Sequence, residues 1–169
     1  MKNSVVLAIG NTLLSDEGAG IHVLKYLIRQ AFEWDGVHFI DGGTLSFTLA
    51  VEIEDTDNLI VLDAAKMGTE PGTVRCFPGA DFDSFIGQPR LSSHEVGLAD
   101  LVDIARLTES LPSRRALVGI EPQTMDWGEL PSPVVYSAIP DAAQVVIDLL
   151  QTWGAIPASV TPVKTGVLA

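Results

Sequence analysis

Short apolar runs rich in Val and Ile recur along this chain, and stretches with helical spacing lie between them. Strands buried in a parallel sheet have this continuous apolar character, because helices cover both of their faces. The alternation therefore predicts an α/β fold with a largely parallel sheet of five strands. The predicted strands are residues 5–9, 37–40, 59–62, 74–77 and 116–120.

Apolar residues at helical spacing predict four helices. The first begins near Asp16 after a Ser15 cap, and a short second helix follows Thr44. The third begins at Ser92, where Ser-Ser-His-Glu has the S-x-x-E form of a capping box. The last helix ends at Gly154, since glycine suits the left-handed backbone of a helix C-terminus. The stripes expected to be buried are Ile21, Leu24, Ile28 and Phe32 in the first helix, Leu98, Leu101, Val102 and Ala105 in the third, and Ala142, Val145, Val146, Leu149, Leu150 and Trp153 in the last.

The length of 169 residues fits one domain, which we place at residues 1–154. Residues 155–169 carry Pro157 and Pro162 and show no periodicity, so a poorly ordered C-terminal tail is expected. The first apolar run is too short for a signal peptide, and no uncharged run reaches the roughly 20 residues of a membrane helix. No membrane span is therefore expected.

The net charge of the chain restricts the classes of partner that it is expected to bind. Ten Lys and Arg residues against 22 Asp and Glu residues give a net charge of −12, which repels phosphate backbones and anionic headgroups. We therefore expect no nucleic acid and no membrane as partner, but a protein with a basic surface. The one cysteine, Cys76, allows no intramolecular disulfide and no all-thiolate metal site, and it favours a cytoplasmic location.

Acidic residues follow four of the five predicted strands. Asp16 and Glu17 follow the first strand, Asp41 the second, Asp63 the third and Glu121 the fifth. Ligands of open α/β sheets bind outside the carboxyl ends of the strands, so these side chains are expected at one edge. Like charges gathered there are costly, and a bound cation is the natural compensation.

His94 adds a nitrogen ligand to this hypothesis, because it lies in the first turn of the third predicted helix, outside the packed stripe. Imidazole with carboxylates suits zinc, nickel or iron better than calcium or magnesium. Each residue alone has an ordinary alternative: Glu17 complements a helix dipole, Asp63 turns the chain, and His94 belongs to a capped helix start. The segment after the second strand is typical of a tight turn, and Cys76 of a small core residue.

Spacing excludes several common chemistries. The run HEVGL that begins at His94 has Leu where a zinc-protease helix needs its second histidine. The segment around Ser46 lacks the second glycine of a serine-hydrolase nucleophile elbow. No Walker A sequence is present, and Gly10 is not followed by the G-x-G-x-x-G pattern of dinucleotide-binding folds.

Taken together, five segments resemble the nickel–iron hydrogenase maturation endopeptidases. They are VLAIGNTLLSDEG at residues 6–18, DGGT at 41–44, VLDA at 61–64, SHEVGLAD at 93–100 and LVGIEP at 117–122. Their order and spacing agree with the family, and the resemblance extends from about residue 4 to residue 150. One departure is Glu95, which stands where several relatives have Gln.

The resemblance implies a three-layer α/β/α sandwich. It also implies an aspartyl protease, which acts as an endopeptidase and removes a C-terminal extension from a hydrogenase large-subunit precursor after nickel insertion. It implies Glu17, Asp63 and His94 as metal ligands, with nickel supplied by the substrate and zinc or cadmium able to replace it in vitro. The nickel is expected to mark a finished precursor, to polarise the scissile carbonyl or to activate water. Asp41 and Asp16 are the candidate general bases. The chain is expected to act as a monomer.

Two other functions would use the same residues. A nickel-sensing or nickel-delivery protein would bind the metal without cutting a chain, and shortening of the precursor by pure protein separates it from a peptidase. An exopeptidase or amidohydrolase would hold its own metal tightly. The lack of thiolate ligands and of a second histidine in these motifs argues against such a site.

Overall fold

The computed structural model describes residues 3–30, 33–44, 48–54, 56–89 and 93–158, and only the backbone of residues 93–96. Its strands agree with the predicted ones to within two residues at each end. They are β1 (Ser4–Ala8), β2 (Val37–Asp41), β3 (Asn58–Ala64), β4 (Val74–Pro78) and β5 (Arg114–Ile120).

The strands form one sheet in the order β2-β1-β3-β5-β4. β1 pairs in parallel with β2 and β3, and β3 pairs in parallel with β5, whereas β4 runs antiparallel to β5. The largely parallel sheet is therefore confirmed. The carboxyl ends of β1, β2, β3 and β5 lie together, and we call this side of the sheet the carboxyl edge.

Helices cover both faces of the sheet. They are α1 (Ala19–Arg29), α2 (Leu49–Glu54), α3 (Ala80–Ile86), α4 (Ser93–Leu107) and α5 (Pro133–Thr152). α1 and α5 pack on one face with strand residues such as Val6 and Val118. α2, α3 and α4 pack on the other face with the alternate residues, such as Val61 and Leu117. The fold is thus an α/β/α sandwich of three layers.

Among the described helices, α5 is the one whose length and composition would allow it to cross a membrane. In the fold it packs against α1, β4 and β5, and it buries Val135, Ala142, Val146 and Leu150 completely. This is the behaviour of a core helix in a sandwich. α5 confirms the predicted last helix and begins earlier than the sequence pattern indicates.

The start of the first helix differs from the prediction. Ser15 is not a helix cap, because it has a φ of 51° and begins a 3-10 helix, Ser15–Gly18, that precedes α1. Its hydroxyl donates instead to the carbonyl of Asp126 at 2.8 Å. The predicted stripe is also wrong at Ile28, which is 56% exposed. Phe32 and the predicted cap at Ser92 lie outside the described residues.

Helix α3 has no counterpart in the prediction, because its seven residues are too few for a periodic pattern. Phe82 and Phe85 bury its inner face. Its Asp83 carboxylate accepts a hydrogen bond from Arg115 Nε of β5 at 2.8 Å. This bond from the guanidinium lowers the pKa of Asp83 and fixes α3 to the sheet.

The described beginning of the predicted tail is bonded to the chain before β2. The Asp35 amide donates to the Ile156 carbonyl at 3.2 Å, and the Ala158 amide donates to the Glu33 carbonyl at 2.6 Å. Residues 159–169 lie outside the described residues, so the poor order expected of them stays a prediction.

Helix α1 approaches the sheet closely at Gly20. A Cβ at this position would lie 2.3 Å from the carbonyl oxygen of Leu62 and 2.9 Å from that of Ile9. Both oxygens belong to the backbone at the carboxyl edge, so neither can move without disturbing the sheet. The missing side chain of Gly20 therefore sets the position of α1 and of the 3-10 helix before it.

We predict that Gly20→Ala lowers the free energy of unfolding by about 1–3 kcal/mol, because the added methyl group overpacks the junction of helix and sheet. Urea denaturation measures the change. The matched control is Gly87→Ala at the exposed end of α3, where φ is −75° and a Cβ would lie 3.2 Å from one carbonyl oxygen. Equal stability changes in both variants would contradict the close approach.

Candidate functional site

The candidate site is built around Gly10, just beyond the end of β1. Gly10 has a φ of 136°, and a Cβ there would lie 2.1 Å from the backbone carbonyl oxygen of Glu17. Only glycine permits both this conformation and this contact. The 3-10 helix can therefore fold back over the end of β1 and bring Glu17 to the carboxyl edge.

Two further acidic residues flank the end of β1 on the neighbouring strands. In β2, Asp41 pairs with Ala8, the last residue of β1. In β3, Asp63 directly follows the residue that pairs with Ala8. Neighbouring strands lie about 4.8 Å apart, so Asp41 and Asp63 stand on either side of β1, with Glu17 over its end.

The three carboxylates differ in their access to water. Glu17 and Asp63 are buried, with 9% and 4% of their surface exposed, whereas Asp41 is exposed. A carboxylate removed from water is stabilised by a cation or by hydrogen-bond donors. Glu17 and Asp63 are therefore suited to hold a cation, and Asp41 is suited to meet a water molecule.

Helix α4, which contains His94, packs on the face of the sheet that Asp63 shares. Asp63 lies two residues from both Val61 and Ala65, which pack in the layer that contains α4, so it shares their face of the sheet. His94 is in the first turn of α4, but its side chain lies outside the described residues. The side chains that are described contain no group of three possible ligands. The predicted metal site of Glu17, Asp63 and His94 thus stays a prediction.

Asp16, the second candidate base, is completely buried and accepts four hydrogen bonds. Its Oδ2 accepts from the amides of Gln123 and Thr124, at 2.8 and 3.0 Å. Ser132 donates its amide to Oδ1 at 2.6 Å and its hydroxyl to Oδ2 at 2.8 Å. Asp16 therefore ties the 3-10 helix to the loop after β5 and to the start of α5. This geometry favours Asp41 over Asp16 as the base.

Glu121 holds another loop at the carboxyl edge. Its Oε2 accepts from the amide of Met67 at 2.6 Å and from the amide and hydroxyl of Thr69 at 3.2 and 3.1 Å. These bonds fix the segment after β3 next to Asp63. Asp16 and Glu121 are thus compensated by the protein's own donors, so neither needs a cation.

An open cavity of about 320 Å³ lies beside Asp41. Asp41 Oδ1 accepts from the Gly43 amide at 3.0 Å, which holds the turn after β2 in place. Asn11 and Lys25 also line the cavity. Asn11 belongs to the segment at residues 6–18 that resembles the family, whereas Lys25 is not marked by any motif, because it reaches the cavity from the second turn of α1.

The remaining candidate lies outside this arrangement. Cys76 is half-buried in the middle of β4, where it pairs with Val118, and burial raises the pKa of its thiol. A thiol with a raised pKa is a poor nucleophile, which supports its interpretation as a core residue.

Comparisons with known proteins agree with this geometry. A family model described as hydrogenase maturation protease matches residues 21–149. The hydrogenase expression/formation protein HupD of Rhizobium leguminosarum bv. viciae is 34% identical over 152 residues, which are 89% of this chain and 75% of that protein. The hydrogenase 2 maturation protease of Escherichia coli (strain K12) is 31% identical over 156 residues, 90% of this chain and 94% of that protein.

A solved structure shares the whole architecture. The hydrogenase maturating endopeptidase HybD from E. coli superposes with a TM-score of 0.85 at 31% sequence identity. The match covers 92% of this chain and 97% of that one. The sheet and its covering helices are therefore common to both proteins.

The role of Asp16 as a structural anchor gives a test of stability. We predict that Asp16→Asn lowers the free energy of unfolding by about 2–3 kcal/mol, because the amide turns an NH2 group toward backbone N–H donors. Chemical denaturation measures the change. Asp126→Asn is the matched control, since Asp126 is exposed in the loop that Asp16 anchors, and its effect is expected within about 0.5 kcal/mol. An Asp16 variant as stable as the control would contradict the anchoring role.

Proposed function

Because this chain belongs to the hydrogenase maturation protease family and is a peptidase, we propose that it removes a C-terminal extension from the large-subunit precursor of a nickel–iron hydrogenase after nickel insertion. The observation that carries this proposal is the placement of Asp41 and Asp63 on the two strands that flank the end of β1, with the 3-10 helix that contains Glu17 folded over that end. It combines one exposed acid beside a cavity with two buried acids at one edge.

Nickel enters this reaction as part of the substrate. Glu17 and Asp63 offer carboxylate oxygens and His94 offers an imidazole nitrogen, a donor set that suits nickel. Three ligands from the enzyme would complete the coordination of a metal that the precursor already holds. A precursor without nickel would lack this contact, so the enzyme would leave it uncut.

Asp41 is the group that we assign to proton transfer. It takes a proton from a water molecule in the cavity, and the water oxygen attacks the scissile carbonyl carbon. The protonated Asp41 then gives its proton to the leaving nitrogen as the peptide bond breaks. Its exposure and its place beside the cavity support this role, and the four hydrogen bonds on Asp16 argue against that residue.

The surface near the site suits a folded protein as substrate. Leu13, Trp127 and Leu130 are 49%, 82% and 72% exposed, although all three are large and apolar. They lie on two loops that are joined where the Gly128 amide donates to the Leu13 carbonyl at 2.9 Å. Exposed aromatic residues on well-anchored loops are typical anchors of protein interfaces.

We predict that Asp41→Asn lowers kcat for precursor processing about 10²–10⁴-fold. The substitution removes the base but keeps the oxygen that accepts from the Gly43 amide, so the turn after β2 is retained. Intact mass spectrometry of the precursor over time measures the rate. The matched control is Asp35→Asn, which changes an exposed acid before the opposite end of the same strand. Equal rates for Asp41→Asn and the control would exclude Asp41 as the base.

We predict that wild-type protein cuts nickel-loaded precursor and leaves nickel-free precursor intact. Glu17→Gln, Asp63→Asn and His94→Ala should each abolish cutting of the loaded form, because each removes one contact to the metal. Glu129→Gln, which changes an exposed acid, should cut like the wild type. Cutting that ignores nickel would contradict recognition of the metal. Nickel binding without any cutting would favour a delivery protein.

A further inference from the structure

A second cavity of about 210 Å³ opens between α1 and α5. Its lining side chains include two cationic groups, whereas the whole chain has a net charge of −12. His22, Lys25 and Arg29 line it from α1, at spacings of three and four residues that put them on one face of the helix. Tyr136 lines it from α5. We call this cavity the α1–α5 cleft.

The positive charges of the α1–α5 cleft have no ion-pair partner in the described part of the chain. Neither Lys25 nor Arg29 forms an ion pair with any residue that the structure describes. No carboxylate is among the described residues that line the cleft. Both cations therefore stand without a compensating carboxylate in the described part of the chain, although acidic residues outnumber basic ones by 22 to 10 in the sequence.

His22 likewise has positively charged neighbours and an unsatisfied ring nitrogen in the described part of the chain. Its Nε2 is buried and has no hydrogen-bond partner among the described residues. Burial lowers the pKa of His22, and the charges of Lys25 and Arg29 lower it further. An oxygen anion in the cleft would offset the charges of both cations beside His22.

The shape of the cleft restricts its ligand. Tyr26, Tyr136, Ile139 and Pro140 supply aromatic and aliphatic surface beside the cationic groups. The volume is that of one or two side chains, not of a folded domain. A carboxylate on an aliphatic stem, such as a Glu side chain in a peptide, matches both the apolar surface and the charge.

The cleft adjoins the candidate site. Lys25 lines both the α1–α5 cleft and the cavity beside Asp41, so the two cavities lie on either side of this residue. A polypeptide bound beside Asp41 is therefore within reach of the cleft along α1.

We propose that the α1–α5 cleft is a subsite that binds a carboxylate-bearing segment of the substrate polypeptide. This inference rests on the proposed function for the identity of that polypeptide. Arg29 and His22 contact the acidic side chain, and Lys25 lies at the passage between cleft and site. The subsite selects acidic sequence near the cleavage point, whereas the nickel contact selects the loaded precursor.

The first test measures binding without any cleavage. The probe is the capped peptide acetyl-Glu-Leu-Glu-amide, titrated into the full chain while NMR follows the imidazole signals, with His22 assigned by a His22→Gln variant. We expect the His22 signal to shift and its pKa to rise, because the carboxylate offsets Lys25 and Arg29. The neutral peptide acetyl-Gln-Leu-Gln-amide should cause no such shift. Equal shifts with both peptides, or none with either, would overturn the proposal.

Arg29→Gln and Arg75→Gln form a matched pair for the same titration. Both remove one positive charge from an exposed arginine, but Arg75 lies on β4, outside the cleft. Arg29→Gln should weaken binding of the acidic peptide about three- to tenfold, and Arg75→Gln should leave it unchanged. Equal weakening would show an effect of net charge alone and would overturn the subsite.

The second test uses nickel-loaded precursor. Arg29→Gln should raise KM about three- to tenfold and leave kcat unchanged, because Arg29 is remote from the reacting bond. Failure of the wild type to cut would refute the proposed function, while the NMR titration would still decide the cleft. Normal processing by Arg29→Gln with an unchanged KM would overturn the cleft as a substrate subsite.

Discussion

The contact between Gly10 and the backbone of Glu17 determines how the carboxyl edge is built. Any side chain at Gly10 would collide with the Glu17 carbonyl, and the 3-10 helix would be pushed away from the end of β1. The four hydrogen bonds of Asp16 hold the same helix from the other side. One short segment is thus fixed between the sheet and α5, and the position of Glu17 depends on both contacts.

This construction divides the acidic residues of the edge into two groups. Asp16 and Glu121 are satisfied by backbone amides and hydroxyls, so they stabilise loops. Asp41, Asp63 and Glu17 surround the end of β1, and in our account they carry the chemistry. The same edge therefore contains acids whose described bonds hold loops in place and acids that we assign to binding or reaction.

The sequence predicts the sheet well, because each strand is a continuous apolar run whose burial does not depend on distant residues. It places these acids at the carboxyl edge for the same reason, since they directly follow those strands. The sequence does not predict features of the structure that depend on a long-range contact. Ser15 bonds to Asp126 and Asp16 to Ser132, more than 100 positions away in both cases, and no local pattern reports either bond. The sequence does not predict the α1–α5 cleft for the same reason, since the cationic residues and the aromatic Tyr136 that line it belong to helices far apart in sequence.

The most direct test of the central claim is an X-ray absorption measurement at the nickel edge. Nickel-loaded precursor is measured alone and in complex with the Asp41→Asn variant, which keeps the three proposed ligands but cuts slowly. The account predicts that complex formation adds oxygen and nitrogen ligands to the nickel, and that adding Glu17→Gln, Asp63→Asn and His94→Ala to this variant prevents the change. An unchanged nickel spectrum in a fully formed complex would contradict it.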